Sequence, residues 1–222
     1  MFFTSGTTSY PKITTHNYKY PLGHYITAKY WHQVDPDGIH FAISDTGWGK
    51  ALWGKLYGQW ICEAPIFTYD FDDFDAKKIL QMIEKYKITT FCAPPTAYRV
   101  MVHLQLEKYD LSSLQNVTTA GEALNPKIYE KFKEKTGFDI MEGFGQTETT
   151  MLIGNIKGMT PRPGSMGKPS PLYEVAVMLS DGSIAKTGEE GEIVVKVADG
   201  VPNGLFTGYY NDKEKTDSVW YD

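Results

Sequence analysis

The chain contains the stretch NVTTAGEALNPKIYEKFKEKTGFDIME between residues 116 and 142. Its first part, Asn116 to Ala120, is rich in β-branched residues and predicts a strand. The pair Asn125-Pro126 is typical of a helix start, and Gly137 after a lysine-rich turn is typical of a helix end. A second apolar run then closes the stretch. A strand, a helix and another strand in this order indicate a parallel strand pair with a crossover helix.

The same alternation of apolar runs and helical stretches extends from about Gly38 to Gly145. Asp75 is a candidate N-cap for a helix, and apolar residues after it are spaced to lie on one face that covers the sheet. These residues are Ile79, Met82, Ile83 and Tyr86. The predicted strands are Ile39 to Ser44, Pro65 to Tyr69, Ile88 to Ala93, Asn116 to Ala120 and Phe138 to Glu142. The sequence therefore predicts an α/β fold in which helices flank a mostly parallel sheet.

The last third of the chain has a different character, because closely spaced prolines and glycines interrupt any periodic pattern. Glu174 to Leu179 and Glu192 to Val197 predict strands, and Asp181-Gly182 predicts a tight turn. We therefore expect an α/β subdomain over residues 1–158, followed by a smaller antiparallel β-rich subdomain over residues 159–222.

The composition excludes several classes of protein. The net charge is -5, and the arginines are Arg99 and Arg162 alone, which argues against a nucleic-acid partner because such partners require a basic face. Cys62 and Cys92 stand apart without metal-ligand spacing, so they suit a reduced compartment and the protein core. No apolar run approaches the roughly 18 residues that span a bilayer, so we expect a soluble protein without a transmembrane segment.

A loop rich in small and hydroxyl residues lies near the start of the chain. It consists of Thr4, Ser5, Gly6, Thr7, Thr8, Ser9, Tyr10, Pro11 and Lys12. Backbone N–H groups near Gly6 and the hydroxyls can surround a phosphate chain, and Lys12 adds a compact positive charge. The segment does not fit the Walker pattern, and on composition alone an ordinary Ser/Thr-rich surface loop remains the alternative.

A second candidate segment follows the last predicted strand, where ligands of open parallel sheets gather. Thr147 can donate to a phosphate, and Glu148 is a hard oxygen ligand suited to Mg²⁺. A solvated Glu148 and a packed Phe144 are the alternative interpretation. A third, weaker candidate follows the strand Asn116 to Ala120, where a flat base can be bordered by Gly121, Glu122 and Ala123.

These three segments, in this order, resemble the adenylate-forming superfamily of acyl-CoA synthetases, adenylation domains and luciferases. The resemblance implies catalytic roles for Lys12, Thr147 and Glu148, with Glu148 holding Mg²⁺. Ser9 stands where the family usually has glycine. The cofactor-binding residues implied by the resemblance are Thr4, Ser5, Gly6, Thr7, Thr8, Lys12, Gly121, Glu122, Ala123, Glu142, Gly143, Phe144, Gly145, Gln146 and Thr147.

Further segments resemble the medium-chain acyl-CoA synthetases within this superfamily. They are Ser44 to Trp48, Ala93 to Thr96, Gly164 to Pro169 and Gly204 to Phe206. The resemblance implies that Trp48 lines the acyl pocket and that the missing side chain at Gly145 leaves room for methylenes. A tryptophan packed in the core is the alternative for Trp48.

The resemblance also implies the reaction. The carboxylate of a small acid attacks the α-phosphate of ATP, pyrophosphate leaves, and the thiol of coenzyme A then displaces AMP. Rival interpretations are an aryl-acid or amino-acid adenylating enzyme, an ATP hydrolase or kinase, and a non-catalytic nucleotide-binding module.

The resemblance further implies that the chain is a piece of the family's N-terminal domain, without a ribose-binding segment and a C-terminal domain. We therefore expect little or no activity from the chain by itself. We expect a cytoplasmic location, with the mitochondrial matrix as the alternative, and the oligomeric state stays open.

Overall fold

The computed structural model describes residues 1–4, 11–44 and 49–220. The strands are β1 Phe2–Thr4, β2 Lys12–Thr15, β3 His40–Ala42, β4 Ile66–Phe67, β5 Thr90–Cys92, β6 Asn116–Thr119, β7 Ile140–Gly145, β8 Met151–Gly154, β9 Lys168–Pro169, β10 Val175–Met178, β11 Glu192–Val195 and β12 Gly208–Tyr209. The α-helices are α1 Tyr20–Ile26, α2 Lys50–Trp53, α3 Tyr57–Ile61, α4 Ala76–Tyr86, α5 Pro95–Met101, α6 Pro126–Thr136 and α7 Lys213–Asp217. A π-helical segment, Thr27–His32, extends α1, and a short 3₁₀ turn spans Leu106–Lys108.

The largest sheet among the described residues has seven strands in the order β4-β3-β5-β6-β7-β8-β9. Strands β4, β3, β5, β6 and β7 run parallel to one another. Strands β8 and β9 extend the sheet at the β7 edge in antiparallel orientation. Each of the five strands predicted between residues 38 and 145 contributes to this sheet, which confirms the α/β fold. Thr119 of β6 lies opposite Glu142 of β7, so the carboxyl ends of these strands meet at one edge.

Helix α6 begins and ends where its sequence predicts. The side chain of Asn125 accepts a hydrogen bond from the backbone N–H of Lys127 at 2.9 Å. At the other end, Gly137 has a φ of 80°, and its N–H donates to the carbonyl of Lys133 at 2.8 Å. A left-handed C-terminal residue satisfies an otherwise unpaired carbonyl, and glycine adopts this conformation without a Cβ penalty.

The buried face of α4 matches its prediction only in part, and the predicted Met82 is half-buried. Asp75 caps the helix through the N–H groups of Lys77 and Lys78, as expected. Ile79 and Ile83 are buried, but Leu80 is buried with them, whereas Tyr86 is 42% exposed. The helix ends at the edge of the sheet, where the Tyr86 ring contacts Phe67 of β4 with 4.8 Å between centroids. The prediction that Tyr86 belongs to the buried face is therefore wrong, because no strand continues the sheet beneath it within the described residues.

Two smaller sheets complete the fold. Strands β10 and β11 pair antiparallel, and Gly182 with a φ of 83° forms the turn predicted at Asp181-Gly182. Strands β1, β2 and β12 form the other sheet, in which Thr4 lies opposite Lys12 and Tyr209 opposite Thr14. The proposed division after residue 158 stays a prediction. Within the described residues, no helix is both long and apolar enough to cross a membrane.

A stack of aromatic rings joins the β1–β2 hairpin to α1 and α3. It consists of Phe2, His16, Tyr20, His24 and Tyr57. The His16 and Tyr20 rings lie 3.7 Å apart and nearly parallel. Burial lowers the pKa of His24 to about 3, with a smaller contribution from His16, and burial also lowers the pKa of His16. Both rings are therefore neutral in the folded protein at pH 7.

The neutral His24 predicts a loss of stability in mild acid. The unfolded chain takes up a proton at a pKa of about 6.5, whereas the folded protein resists it down to a pKa of about 3. The free energy of unfolding should therefore fall as the pH drops from about 6.5 toward 3, by at most about 1.4 kcal/mol per pH unit for this group. Urea denaturation at several pH values measures the slope.

His24→Gln removes this titration, so the wild-type slope between pH 6.5 and 4 should exceed that of the variant. Subtracting the two curves cancels the other titrating groups. The exposed, non-titrating Gln105 provides the control, because Gln105→Ala should leave the slope as it is. Identical slopes for wild type and His24→Gln would contradict the assignment.

Candidate active site

Lys12 and Glu148 lie next to each other, although they belong to distant segments. Lys12 is in β2 and Glu148 is in the turn after β7, and the Lys12 Nζ atom lies 3.7 Å from Glu148 Oε1. Tyr209 of β12 joins them. Its hydroxyl accepts a hydrogen bond from Lys12 Nζ at 3.1 Å and donates to Glu148 Oε1 at 2.7 Å. We call these three residues the lysine–tyrosine–glutamate triad.

The triad is partly shielded from solvent. The side chains of Lys12 and Glu148 are 20% and 13% exposed. Burial and the Glu148 carboxylate raise the pKa of Tyr209, so the phenol keeps its proton and donates it in the hydrogen bond. The Lys12 ammonium also lies 4.6 Å from the centre of the Tyr209 ring.

The turn that carries Glu148, residues 146–149, is held at several points. The Thr149 hydroxyl accepts from the Gln146 N–H at 3.0 Å and donates to the Thr150 carbonyl at 2.7 Å. His16 Nε2 lies 2.7 Å from the carbonyl oxygen of Thr147, and because a carbonyl only accepts, Nε2 carries the proton. The N–H of Phe206 donates to the Glu148 carbonyl at 2.8 Å. The backbone beneath Thr147 and Glu148 is thus fixed by groups from three parts of the chain.

Glu142 and the segment Gly121 to Ala123 lie together at the edge where β6 and β7 end. Glu142 Oε1 accepts from the N–H of Leu124, directly after the segment, at 3.2 Å. Burial raises the pKa of the Glu142 carboxyl. Gly121, Glu122 and Ala123 are exposed. The structure thus places the two predicted adenine-side segments side by side, and their contact with a base stays a prediction.

The glycines of β7 are explained by close packing. A Cβ on Gly143 would lie 2.8 Å from the Trp31 ring. A Cβ on Gly145 would overlap the carbonyl oxygen of Thr150, at the point where the register of β7 and β8 shifts. The backbone of the following turn therefore lies on the side-chain side of Gly145, and the role of this glycine in an acyl pocket stays a prediction. Phe144 is half-buried and packs against a cluster that includes Leu152 and Tyr173.

Several predicted site residues lie outside the described residues. They are Ser5, Gly6, Thr7, Thr8 and Trp48. Thr4 is described, and its Cα pairs with that of Lys12 in the β1–β2 hairpin. Gln146 is exposed at the start of the turn, and Thr147 is half-buried beside Glu148.

Comparison with known proteins identifies the family. The sequence profile described as AMP-binding enzyme matches residues 1–210. The chain belongs to the AMP-binding enzyme family. It is 42% identical over 220 residues to acyl-coenzyme A synthetase ACSM3, mitochondrial, of Homo sapiens, and the match covers 99% of this chain and 38% of that protein. The chain therefore spans well under half the length of this relative.

Solved structures give the same result at the level of the fold. The anthranilate CoA ligase AuaEII in complex with anthranoyl-AMP matches with a TM-score of 0.85 and 29% identity, covering 98% of this chain and 41% of that one. The Brucella canis acyl-CoA synthetase matches with a TM-score of 0.82 and 28% identity, covering 94% and 39%. The sheet and hairpin that position the triad in this AMP-binding enzyme are thus part of a known architecture.

The Mg²⁺ ion that the sequence resemblance implies stays a prediction, and the chemistry of the triad is compatible with it. Mg²⁺ is commonly held by one or two carboxylates together with substrate phosphates and water. Glu148 offers one carboxylate next to a lysine suited to phosphate. In the part of the chain that the structure describes, no group of three or more His, Cys, Asp or Glu residues forms a metal site by itself. The arrangement therefore suits a metal that arrives with a nucleotide.

Two residues of this AMP-binding enzyme's candidate site escaped prediction from the sequence. Tyr209 lies in a Gly-Tyr-Tyr run that resembles no phosphate or metal motif, and the pairing of β12 with β2 brings it to Lys12. His16 lies four residues after Lys12 in the sequence. This closeness to Lys12 was the available signal that His16 belongs to the site.

Proposed function

We propose that the complete protein uses ATP to activate a carboxylic acid as an acyl adenylate and then transfers the acyl group to coenzyme A. The observation that carries this proposal is the contact between Lys12 and Glu148 at 3.7 Å. It joins a candidate phosphate ligand to a candidate metal ligand in one place. The relative ACSM3 is named an acyl-coenzyme A synthetase, and AuaEII was solved with an acyl adenylate, which supports the same chemistry.

The proposed roles follow from where negative charge develops. As the acid carboxylate attacks the α-phosphorus and pyrophosphate leaves, charge accumulates on the phosphate oxygens. Lys12 holds the β- and γ-phosphates, and Thr147 donates to the α-phosphate. Glu148 would hold Mg²⁺, which supplies positive charge to the phosphate oxygens when bound. Neither Lys12 nor Glu148 is a nucleophile, so the protein acts by alignment and charge stabilisation.

The site around the nucleotide is completed by the other predicted residues. In this proposal Gly121 to Ala123 and Glu142 to Gln146 border the adenine, and residues 4–8 contact the phosphates. Residues 1–158 would form the nucleotide- and acyl-binding subdomain, with residues 159–222 as the smaller β-rich one.

For the acid, we propose a medium-chain fatty acid, with an aryl acid as the second candidate. The first rests on the segments similar to medium-chain acyl-CoA synthetases, such as Gly164 to Pro169. The second rests on the 29% identity to an anthranilate CoA ligase. The choice does not rest on Gly145, because the Thr150 carbonyl closely approaches the side-chain side of this glycine.

The test is pyrophosphate exchange by the protein in its full encoded length, with acids from acetate to long-chain fatty acids and with benzoate and anthranilate. We expect exchange to be greatest with acids of intermediate length and the products to be AMP and pyrophosphate. ADP would instead indicate a hydrolase or kinase, and no heat on titration with MgATP would indicate a non-catalytic module. Preference for acetate alone would overturn the medium-chain proposal.

The location of the complete protein is also a proposal. The mitochondrial name of the relative ACSM3 favours the matrix over the cytoplasm. A fluorescent tag at the C-terminus of the full-length protein, imaged with a mitochondrial marker, distinguishes the two.

A further inference from the structure

We propose that Tyr209 is a positioning residue that orients Glu148 for a metal-bound triphosphate and keeps the Lys12 ammonium from a direct hydrogen bond to that carboxylate. This inference rests on the proposed function. Its basis is the bridging hydroxyl, which contacts Lys12 Nζ at 3.1 Å and Glu148 Oε1 at 2.7 Å. The Tyr209 side chain itself does not touch the reacting atoms in this proposal.

The first part of the inference concerns the carboxylate. Within the described residues, the contacts of the Glu148 side chain with Lys12 and with Tyr209 both use the Oε1 atom. Oε2 is then the oxygen that a metal ion takes. Hydrogen bonds to the second oxygen of a metal-binding carboxylate fix its orientation, and their loss commonly weakens metal binding by 10- to 100-fold. Tyr209 is placed to make such a hydrogen bond.

The second part concerns the ammonium. Lys12 Nζ and Glu148 Oε1 are 3.7 Å apart, beyond the roughly 2.8 Å of a direct charge-assisted hydrogen bond. The Tyr209 hydroxyl bridges them, because it accepts a hydrogen bond from Lys12 Nζ and donates one to Glu148 Oε1. Without this hydroxyl, the ammonium and the carboxylate are free to approach from 3.7 Å to direct hydrogen-bond distance. A metal ion would then have to displace the ammonium before it reached the carboxylate.

The position of the Tyr209 hydroxyl is determined by its surroundings. The strand pairing sets Tyr209 opposite Thr14 of β2, two residues from Lys12. The Tyr209 N–H donates to the Thr216 hydroxyl at 2.9 Å, and its ring packs on Phe206 with 5.1 Å between centroids. Tyr209 is 8% exposed. These contacts do not involve the hydroxyl, so they remain when only the hydroxyl is removed.

The experiment compares wild type with Tyr209→Phe in the full-length protein. MgATP binding is measured by calorimetry without acid, at a series of Mg²⁺ concentrations, so that no turnover contributes. We expect the Mg²⁺ concentration for half-maximal binding to rise about 10-fold in Tyr209→Phe. The KM for the acid should stay unchanged in pyrophosphate exchange. The matched control is Tyr210→Phe, which removes a hydroxyl from a neighbouring side chain that is 49% exposed and should behave as wild type.

The outcomes separate this inference from the proposed function. If wild type binds MgATP and Tyr209→Phe needs the same Mg²⁺ concentration, the inference is overturned and the proposed function stands. A lower melting temperature of Tyr209→Phe with unchanged Mg²⁺ dependence also overturns it, because the hydroxyl then has only a structural role. Absence of MgATP binding and of exchange in wild type overturns the proposed function and the inference together.

Discussion

Glu148→Gln is expected to lower acid-dependent pyrophosphate exchange by the full-length protein by about 100-fold or more. The substitution keeps the size of the side chain and its ability to accept from Tyr209, but it removes the negative charge. In the proposed mechanism this charge holds the metal that carries the triphosphate. Lys12 lies 3.7 Å from the lost charge, so the variant also leaves an ammonium without its counter-charge. The measurement is the exchange rate at saturating acid over a range of MgATP concentrations.

Glu174→Gln is the control for this substitution. Glu174 forms an exposed ion pair with Lys196 at 3.3 Å, away from the triad, and exposed pairs contribute little to stability. The control should retain the wild-type exchange rate. Exchange by Glu148→Gln within a few-fold of wild type would refute the assigned role of Glu148.

Gly145→Ala is expected to destabilise the protein by about 2 kcal/mol. The added methyl would overlap the Thr150 carbonyl, which belongs to the backbone and accepts from the Thr149 hydroxyl at 2.7 Å. Backbone cannot move aside as a flexible side chain does, so β7, β8 or the turn between them must shift. The same shift should reach Glu148, three residues further on, and weaken MgATP binding. Urea denaturation and calorimetry measure the two effects.

The neighbouring position provides the comparison. Gln146 is exposed, so Gln146→Ala should change the free energy of unfolding by no more than about 0.5 kcal/mol. If Gly145→Ala has the same free energy of unfolding as wild type, β8 can shift to accommodate the methyl group without loss of stability. The close approach of Thr150 would then not be the reason for glycine at this position.

The central sheet was predictable because its signals are local. Strands β3 to β7 are short apolar runs, and α6 carries its own start at Asn125 and stop at Gly137. These signals depend on residues close together in the sequence, so they can be recognised without knowledge of the tertiary structure. The edge of the buried face of α4 was not predictable. Whether Tyr86 is covered depends on where the sheet ends, which the helix sequence does not contain.

The candidate site was predictable where residue chemistry alone points to phosphate and metal. Lys12 and Glu148 were selected for their charge, and the resemblance to a known family joined them. Tyr209 was missed because its chemistry depends on a strand pairing across most of the chain. The close approach of Thr150 to Gly145 was missed for the same reason. A missing side chain can mean an open pocket or a close backbone, and only the path of residues 146–151 decides between them.

The pairing of β12 with β2 has a consequence for the timing of folding during translation. Lys12 and Tyr209 are 197 positions apart along the chain. A ribosome adds about 5–20 residues per second, so the nascent hairpin waits for roughly 10–40 s before the strand that completes it is synthesised. During this interval the edge of β2 that later pairs with β12 has unpaired backbone groups, to which a chaperone can bind. A nucleotide can bind only later, when β12 has brought Tyr209 to Lys12.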